Sequence, residues 1–377
     1  MVNVLYLTDT GDIKGGGEIS LLGLLENMDR LAFKPLVVVP GEGTFTQALH
    51  KADIPFAMLP FKKMLNPINM ATSIKAVQEL AGIISRFDID LVHSNSTGGA
   101  VLLAGLASRI AERPFVSHVR LIDTGLLSDI AQRIFSTRII VISDAVGRRF
   151  YRSSAKGKVV RIYNGVDLEK FNPGIDRQAF REEIGCGRDS HLIGMVGNYH
   201  PSKSLENFVN ASAVIAQKLS DSVFVIIGSN FSEANSYVKR LTKMSERLGL
   251  KKRLIFKGER DDVPKVMASL DIFMYPAVDE PFGRVMMEAA ACARPIVAFN
   301  SGGAPEIVVE SKTGFLVPPG DCRGMAIKAV ALLKDKKLLS EMGSAARKRA
   351  EEVFDIRDHA RKIEKLYMDV IEGYGKR

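Results

Sequence analysis

The chain has 377 residues, a net charge of +9 and a pI of about 9.3, with 46% apolar and 25% charged residues. This length predicts two domains, the composition is that of a globular protein, and no apolar run reaches the roughly 18 residues of a membrane-spanning helix. The three cysteines, Cys186, Cys292 and Cys322, form no CxxC pair, which argues against a disulfide framework and a structural zinc. Because MVNVLYLTDT also lacks the basic start of a secretory signal, we expect a cytoplasmic protein.

Short apolar runs alternate with helical patterns through the first half of the chain. Val2–Leu7 is a predicted strand, and a glycine-rich loop leads from it into a helix over about 18–28. Further strands are expected at Leu36–Val39, Asp90–His93, Phe115–His118 and Ile139–Ile142. Runs that are apolar on both faces are typical of parallel strands covered by helices on both sides.

The same alternation restarts after a segment rich in glycine, proline and charge, Asn164–Ser190, which we interpret as the inter-domain connection. Its strands are expected at Leu192–Gly197, Val223–Gly228, Leu254–Phe256, Ile272–Tyr275, Ile296–Ala298 and Phe315–Val317, and three helices follow. The pattern predicts an α/β protein with two doubly wound Rossmann-like domains facing across a cleft. The expected domains are 1–170 and 171–355, with a C-terminal helix in 356–377 that packs back on the first domain, and a hinge near 164–173.

A basic segment spans residues 133–161, where Asp144 is the only acidic residue. Its basic residues are Arg133, Arg138, Arg148, Arg149, Arg152, Lys156, Lys158 and Arg161. Two interpretations remain open: contact with anionic lipid headgroups, or a solvated face that forms the wall of an anion site. Nucleic acid is disfavoured, because no binding motif or interleaved aromatic residues accompany the charge.

The strongest local pattern is Glu280-Pro-Phe-Gly-Arg-Val-Met-Met-Glu288, which follows a strand and opens a helix. Gly283 allows a ligand close to the backbone, and the N–H groups of Arg284 and Val285 at the helix start predict an anion site. Glu288 is placed to accept hydrogen bonds from ribose hydroxyls, and Glu280 to reach a sugar hydroxyl. For the two glutamates alone, a capped helix with solvated side chains is the alternative.

Two glycine-containing turns add weaker signals. Lys203 lies in the turn Gly197–Ser204, just before a helix, where a lysine can neutralise phosphate oxygens or be an ordinary surface residue. Gly15-Gly16-Gly17 follows the first strand but fits neither GxGxxG nor a Walker motif. Its glycines would allow backbone N–H groups close to a phosphate or a sugar.

Taken in order, these motifs resemble the retaining GT-B-fold glycosyltransferases known as "glycosyl transferases group 1". The resemblance runs through GGGE, FVSHVR, VIS, YNGVD, VGNYHPSKS, FKGERDDV, LDIFMYPAVDEPFGRVMMEAAACARPIVAFNSGGAPEIV and TGFLVPPGD, which together span most of the chain. The 280–288 block is highly specific for the family, whereas the N-terminal motifs are loose.

The resemblance assigns roles in the second domain to the matching residues. Lys203 and the amides of Arg284 and Val285 would bind the donor diphosphate, Glu288 the ribose and Glu280 the transferred sugar. Phe282 and Gly283 belong to the same donor-binding block, and the loop Gly258–Arg260 would lie near the base.

The resemblance assigns roles in the first domain as well. Gly16 and Gly17 would approach the phosphate, and His118 would orient the transferred sugar, whose 6-hydroxyl is a possible contact. His118 and Glu280 are therefore the expected catalytic pair. A structural histidine at a strand end is the alternative for His118.

One position departs from the family pattern, since Asn198 stands where the family usually has arginine. Arginine binds phosphate through two N–H groups with a permanent charge, whereas asparagine offers only a neutral amide. Arg260 or Arg284 is the expected substitute for the missing cation. Weak donor binding or lost activity are the alternatives.

The implied function is a metal-independent hexosyltransferase that moves a sugar, with retention, from a nucleotide-sugar substrate to a glycan or lipid-linked acceptor. A UDP sugar is favoured over GDP-mannose, no cofactor or nucleic acid is expected, and the setting is synthesis of polysaccharide, lipopolysaccharide or glycolipid. Together with the basic segment, Phe61–Leu65 suggests peripheral association with the inner face of the cytoplasmic membrane. A non-catalytic binding subunit and a GT-B nucleotide-sugar epimerase are the alternatives.

Overall fold

The computed structural model describes residues 1–61, 70–229, 232 and 235–375. The chain divides into two compact units, one formed by Met1–Gly165 with Ile356–Arg377 and the other by Val166–Asp355. Each unit has one wholly parallel sheet with helices packed on it. This confirms the predicted fold of two doubly wound, Rossmann-like α/β domains.

The first unit contains a seven-stranded sheet in the order β3-β2-β1-β4-β5-β6-β7. Its strands are β1 Val2–Leu7, β2 Phe33–Val39, β3 Phe56–Met58, β4 Leu91–Ser94, β5 Phe115–Val119, β6 Arg138–Val141 and β7 Val159–Arg161. Its helices before residue 165 are α1 Gly16–Asn27, α2 Thr44–Lys51, α3 Met70–Arg86, α4 Gly99–Ile110, α5 Leu126–Phe135 and α6 Asp144–Tyr151. The order reverses between β1 and β4, the place where open α/β sheets bind ligands.

The second unit has a six-stranded sheet in the order β10-β9-β8-β11-β12-β13, and its order reverses between β8 and β11. Its strands are β8 His191–Val196, β9 Ser222–Ile227, β10 Leu254–Lys257, β11 Ile272–Tyr275, β12 Ile296–Phe299 and β13 Gly314–Val317. Its helices are α7 Gln178–Glu183, α8 Leu205–Lys218, α9 Ser236–Arg247, α10 Val263–Ser269, α11 Arg284–Ala291, α12 Ala304–Ile307, α13 Cys322–Lys334 and α14 Lys336–Val353. The last helix of the chain, α15 Ile356–Tyr374, belongs to the first unit.

Most of the strands could be predicted from apolar runs in the sequence because they are buried on both faces. The side chains of Val4 and Tyr6 on one face of β1, and Leu5 and Leu7 on the other, have no exposed area, so helices cover both faces. On one side, α15 closes this core through Ile363 and other buried side chains. No helix among the described residues is both long and apolar enough to cross a membrane.

The segment 164–190 was expected to be a connection, but most of it is integrated into the second unit. It contains α7, whose Phe180 is buried. The buried guanidinium of Arg181 donates to the backbone carbonyls of Ser269 (3.0 Å) and Gly187 (3.2 Å). A charged side chain can be buried where it is paired in this way, which a composition-based linker prediction does not anticipate.

Candidate functional site

In the second unit, the turns after β8 and β11 bring two predicted site residues together. Lys203 Nζ lies 2.6 Å from Glu280 Oε2, and the hydroxyl of Tyr275 donates to the same oxygen at 2.9 Å. Both charged side chains are only partly exposed. A cation and a carboxylate, which the sequence singled out separately, therefore meet at the carboxyl ends of neighbouring strands.

Two glycines fix the loop that carries Glu280. The N–H of Gly303 donates to the carbonyl of Glu280 at 2.8 Å, and Gly302 has a φ of 57°. A Cβ on Gly302 would lie 2.2 Å from that carbonyl oxygen, and one on Gly303 would lie 2.6 Å from the Cα of Phe282. The loop conformation therefore requires both glycines, for which the local sequence pattern had indicated no role.

The start of α11 is built as the sequence predicted. Gly283 precedes the helix with a φ of 97°, in the left-handed region that favours glycine. The N–H groups of Arg284 and Val285 lie in the first turn, where an α-helix provides no acceptor for its amides. These amides and the positive end of the helix dipole favour an anion.

Glu288 on α11 is buried, with 2% of its surface exposed. An Arg284 nitrogen lies 2.7 Å from its Oε1, but at an angle that makes no hydrogen bond, so this buried oxygen has unused acceptor capacity. Burial raises the pKa of Glu288, and the charge of Arg284 opposes the shift. A ligand hydroxyl that donates to Oε1 would supply the missing hydrogen bond.

Asn198 is held at a close approach of two strand ends. Its Oδ1 accepts a hydrogen bond from Ser229 Oγ at 2.7 Å. A Cβ on Gly228 would lie 1.8 Å from the carbonyl oxygen of Gly197, so these turns require glycine at 228. With its oxygen engaged by Ser229, Asn198 retains an amide NH₂ that can donate to a ligand.

The loop Gly258–Arg260 follows β10, and Arg260 is engaged with two carboxylates. Its guanidinium donates to both oxygens of Glu183 at 2.7 and 2.9 Å and to Asp262 at 2.6 and 2.9 Å. Hydrogen bonds to Asp262 and then Glu183 raise the pKa of Arg260. Because these carboxylates neutralise its charge, Arg260 is a poor substitute for the arginine that Asn198 replaces.

Phe282 was grouped with the donor-binding residues, but the structure gives it a packing role. It is buried, with 1% of its surface exposed, and its ring packs edge-on against Phe354 at a centroid distance of 5.9 Å. It therefore anchors the loop between Glu280 and α11 to the interior of the unit.

In the first unit, Arg120 links two predicted site residues: it contacts His118 directly and Gly17 through Asn95. Arg120 Nε donates to Asn95 Oδ1 and its Nη1 to Asn164 Oδ1, both at 2.6 Å, and Nη2 lies 3.3 Å from His118 Nδ1. Asn95 in turn donates to the carbonyl of Gly17 at 3.4 Å. This Arg120 cluster lies after β1, β4, β5 and β7, at the carboxyl edge of the sheet.

The glycines of the first loop begin α1. Gly15 precedes the helix and its N–H donates to Glu18 at 3.0 Å, while Gly16 and Gly17 form the first turn. A Cβ on Gly17 would lie 3.5 Å from Cδ of Arg120, which is ordinary contact. The structure therefore brings Gly17 next to the Arg120 cluster.

His118 lies near the end of β5 and is buried, with 2% of its surface exposed. Its Nε2 has no hydrogen-bond partner among the described residues. Burial, and then the charge of Arg120, lower the pKa of His118 well below its ordinary value. The ring is therefore a neutral group that can exchange a hydrogen bond with a hydroxyl.

Sequence reasoning missed Arg120, Asn95 and Asn164. Arg120 and Asn164 lie in segments that carried the family resemblance, FVSHVR and YNGVD, but no role was assigned to them. Asn95 follows β4 directly, and a polar residue at the carboxyl end of a parallel strand was the available signal. Within the described ranges, no three histidine, cysteine or acidic side chains are grouped to bind a metal ion.

Two family profiles match adjoining parts of the chain. "Glycosyltransferase Family 4" matches residues 14–170, and "Glycosyl transferases group 1" matches residues 176–349. The first match contains β2 to β7 of the first sheet, and the second contains all six strands of the second sheet.

Individual relatives extend over most of the chain. The UDP-Gal:alpha-D-GlcNAc-diphosphoundecaprenol alpha-1,3-galactosyltransferase of Escherichia coli is 27% identical over an alignment of 385 positions that covers 94% of this chain and 96% of that protein. A second relative is a GDP-mannose-dependent alpha-(1-6)-phosphatidylinositol monomannoside mannosyltransferase of Mycolicibacterium smegmatis. It is 29% identical over an alignment that covers 70% of this chain and 72% of that protein. The crystal structure of Anabaena Alr3699/HepE in complex with UDP-glucose has a TM-score of 0.83 and 26% identity, covering 98% of this chain and all of the other.

Proposed function

Because the chain belongs to the group 1 glycosyltransferases, we propose that it moves a hexose from a nucleotide-diphosphate sugar to a glycan or lipid-linked acceptor, with retention at the anomeric carbon. In this proposal the second domain binds the donor and the first binds the acceptor. The observation that carries the proposal is the pairing of Lys203 with Glu280 beside the start of α11.

The arrangement suits a leaving diphosphate. As the bond between the anomeric carbon and the phosphate oxygen breaks, negative charge develops on the diphosphate. Lys203, the amides of Arg284 and Val285, and the NH₂ of Asn198 would stabilise this charge. Donor binding would also draw Lys203 from Glu280, which frees that carboxylate for a hydroxyl of the transferred sugar.

The proposed chemistry needs no metal, because Lys203 and the helix-start amides provide the positive potential. The acceptor oxygen would attack the anomeric carbon from the face the diphosphate leaves, and its proton would pass to the departing phosphate oxygen. Glu288 would hold the ribose, and the family resemblance implies that Gly16 and Gly17 approach the phosphate while His118 contacts the sugar.

The relatives support the substrate classes. The Escherichia coli relative is named for UDP-galactose and a diphosphoundecaprenol-linked acceptor, and the Anabaena structure contains UDP-glucose. The mycobacterial relative is named for GDP-mannose and a phosphatidylinositol acceptor. We therefore favour a UDP sugar, with GDP-mannose second, and an acceptor linked to a lipid or glycan of the cell envelope.

A lipid-linked acceptor makes peripheral association with the membrane part of the proposal, and α5 supports it. This helix exposes four large apolar side chains, Leu126, Leu127, Ile130 and Ile134, which are 39% to 73% exposed. Its buried residues are Ser128, Ala131 and Gln132. An apolar face turned outward in this way suits the interface of a bilayer.

Part of the basic segment is hydrogen-bonded to α5 and its surroundings. Arg149 donates to the carbonyl of Ile122, Arg133 to that of Arg149 and Lys158 to that of Arg133, so these three side chains join α5 and the residues before it to α6 and the turn after it. Arg148 and Arg152 remain exposed. Only some of the basic residues can therefore meet anionic headgroups, and residues 62–65 of the other predicted membrane segment lie outside the described part of the chain.

The test is a panel of UDP-glucose, UDP-galactose, UDP-N-acetylglucosamine and GDP-mannose, with release of free nucleotide diphosphate as the readout. We expect turnover of at least one donor that survives EDTA and falls on Lys203→Ala, with Lys218→Ala as the control. The anomeric configuration of the product, read by proton NMR, tests retention. Binding without turnover for every donor and acceptor supplied would favour a non-catalytic subunit, and an altered free sugar without an acceptor would favour an epimerase.

A further inference from the structure

The Arg120 cluster affects not only the position of His118 but also which of its ring nitrogens carries the hydrogen. We propose that Arg120 is a positioning residue that fixes the tautomer of His118, so that Nδ1 is unprotonated and Nε2 carries the hydrogen. His118 then presents a hydrogen-bond donor to an oxygen of the ligand. The role of that donor in transfer rests on the proposed function, whereas the tautomer itself does not.

The tautomer follows from the donors and acceptors in contact. A guanidinium has five N–H donors and no acceptor. With Arg120 Nη2 at 3.3 Å from Nδ1 of His118, this contact is a hydrogen bond only if Nδ1 accepts. In a neutral imidazole the other nitrogen must then carry the hydrogen, so Nε2, which has no described partner, is a donor.

Arg120 is itself held firmly enough to impose this choice. Its two hydrogen bonds to Asn95 and Asn164, each 2.6 Å long, use the Nε and Nη1 atoms and leave Nη2 directed at the histidine. Both asparagines are buried, with 7% and 5% of their surfaces exposed. A side chain fixed at several points loses little further entropy when it orients His118.

The surroundings of His118 also keep it neutral. Burial, and then Arg120, His93 on β4 and His359 on α15, all lower the pKa of His118 and so disfavour a second proton on its ring. The three rings are close, with centroids 5.2 Å apart for His93 and His118 and 6.4 Å apart for His118 and His359. His118 is therefore unsuited to act as a general base that ends protonated, and suited to donate one hydrogen bond.

His359 provides an internal comparison because its tautomer is the opposite one. Its Nδ1 lies 2.7 Å from the carbonyl oxygen of Tyr163, which can only accept, so Nδ1 carries the hydrogen. One protein thus contains two buried, neutral histidines with opposite tautomers. Only that of His118 depends on Arg120.

The experiment is long-range ¹H–¹⁵N NMR of the full chain labelled in its six histidines, with His118→Gln and His359→Gln to assign the signals. We expect His118 protonated on Nε2 and His359 on Nδ1, without titration of His118 between about pH 5.5 and 8.5. In Arg120→Met we expect His118 to populate both tautomers while His359 stays unchanged. The exposed Arg109→Met is the control, for which both signals should match those of the unaltered protein.

Donor turnover separates positioning from simple folding damage. We expect Arg120→Met to lower kcat by about 10-fold or more, as for residues that orient a functional imidazole, and Arg120→Lys to restore part of it. If His118 carries its hydrogen on Nδ1 in the unaltered protein, or keeps it fully on Nε2 in Arg120→Met, the inference is wrong. If Arg120→Met does not fold, the unaltered protein and Arg120→Lys still decide the tautomer. A changed tautomer with unchanged turnover would instead refute the proposed contact of His118 with the sugar.

Discussion

Replacing Glu288 with glutamine should weaken nucleotide binding while stabilising the free protein. The carboxylate is buried, and its Oε1 lacks a hydrogen bond within the described part of the chain. Two ribose hydroxyls would supply hydrogen bonds to a charged acceptor, each worth about 1.5–3 kcal/mol. Losing about 3 kcal/mol corresponds to roughly a 100-fold increase in Kd for the nucleotide diphosphate.

The stability of the free protein should change in the opposite direction. Burial raises the pKa of Glu288 above its ordinary value of 4.5, so the folded state binds this proton more tightly than the unfolded state. The contribution of Glu288 to stability therefore falls as the pH rises from about 4.5 through the raised pKa. At pH 7 the Glu288→Gln protein should unfold at higher denaturant than the unaltered protein, and the difference should shrink toward pH 4.5.

The assay is calorimetric titration with UDP and 2′-deoxy-UDP, alongside urea unfolding at pH 7 and pH 4.5. The exposed Glu341→Gln on α14 is the matched control and should change neither quantity. If the carboxylate holds the 2′-hydroxyl, the deoxy ligand should lose affinity in the unaltered protein and little in Glu288→Gln. Equal losses in both proteins, or unchanged UDP affinity in Glu288→Gln, would refute the reasoning.

Three further outcomes are expected. Lys203→Ala should weaken UDP binding by about 10- to 100-fold and leave uridine binding unchanged in calorimetry, because only the diphosphate is affected; equal losses for both ligands would contradict this. Gly302→Ala should cost about 1–3 kcal/mol in urea unfolding and lower kcat, whereas Gly320→Ala, also at positive φ but in open space, should leave kcat unchanged. Leu127→Glu should reduce sedimentation with anionic vesicles and leave donor turnover intact, whereas the exposed Leu31→Glu should still sediment; persistent sedimentation of Leu127→Glu would count against α5.

The fold was predictable where strands are buried on both faces. Val2–Leu7 and Ile272–Tyr275 were placed with the bounds found in the structure. The short strands β3 and β7 were missed, because each has only three residues and lies, partly exposed, at an edge of the sheet. Similarly, α7 was hidden in a polar segment because it has only six residues.

The site was predictable where a single short segment contains both the special backbone conformation and the functional side chain. Gly283 and Glu288 are such a case, since the positive φ and the buried carboxylate occur within a few residues. Arg120 was not, because its partners Asn95 and Asn164 follow different strands and only the sheet brings them together. The packing role of Phe282 also depends on a distant residue, Phe354.

The return of α15 to the first unit has a consequence for the order in which the protein folds during synthesis. Ile363, Tyr367 and Val370 complete the core of that unit, yet the ribosome makes them only after the whole of the second unit. The second unit is contiguous in sequence and has all its strands and helices by Asp355. Although domains made earlier generally fold earlier, the first unit cannot complete this side of its core until the second unit and then α15 have been synthesised.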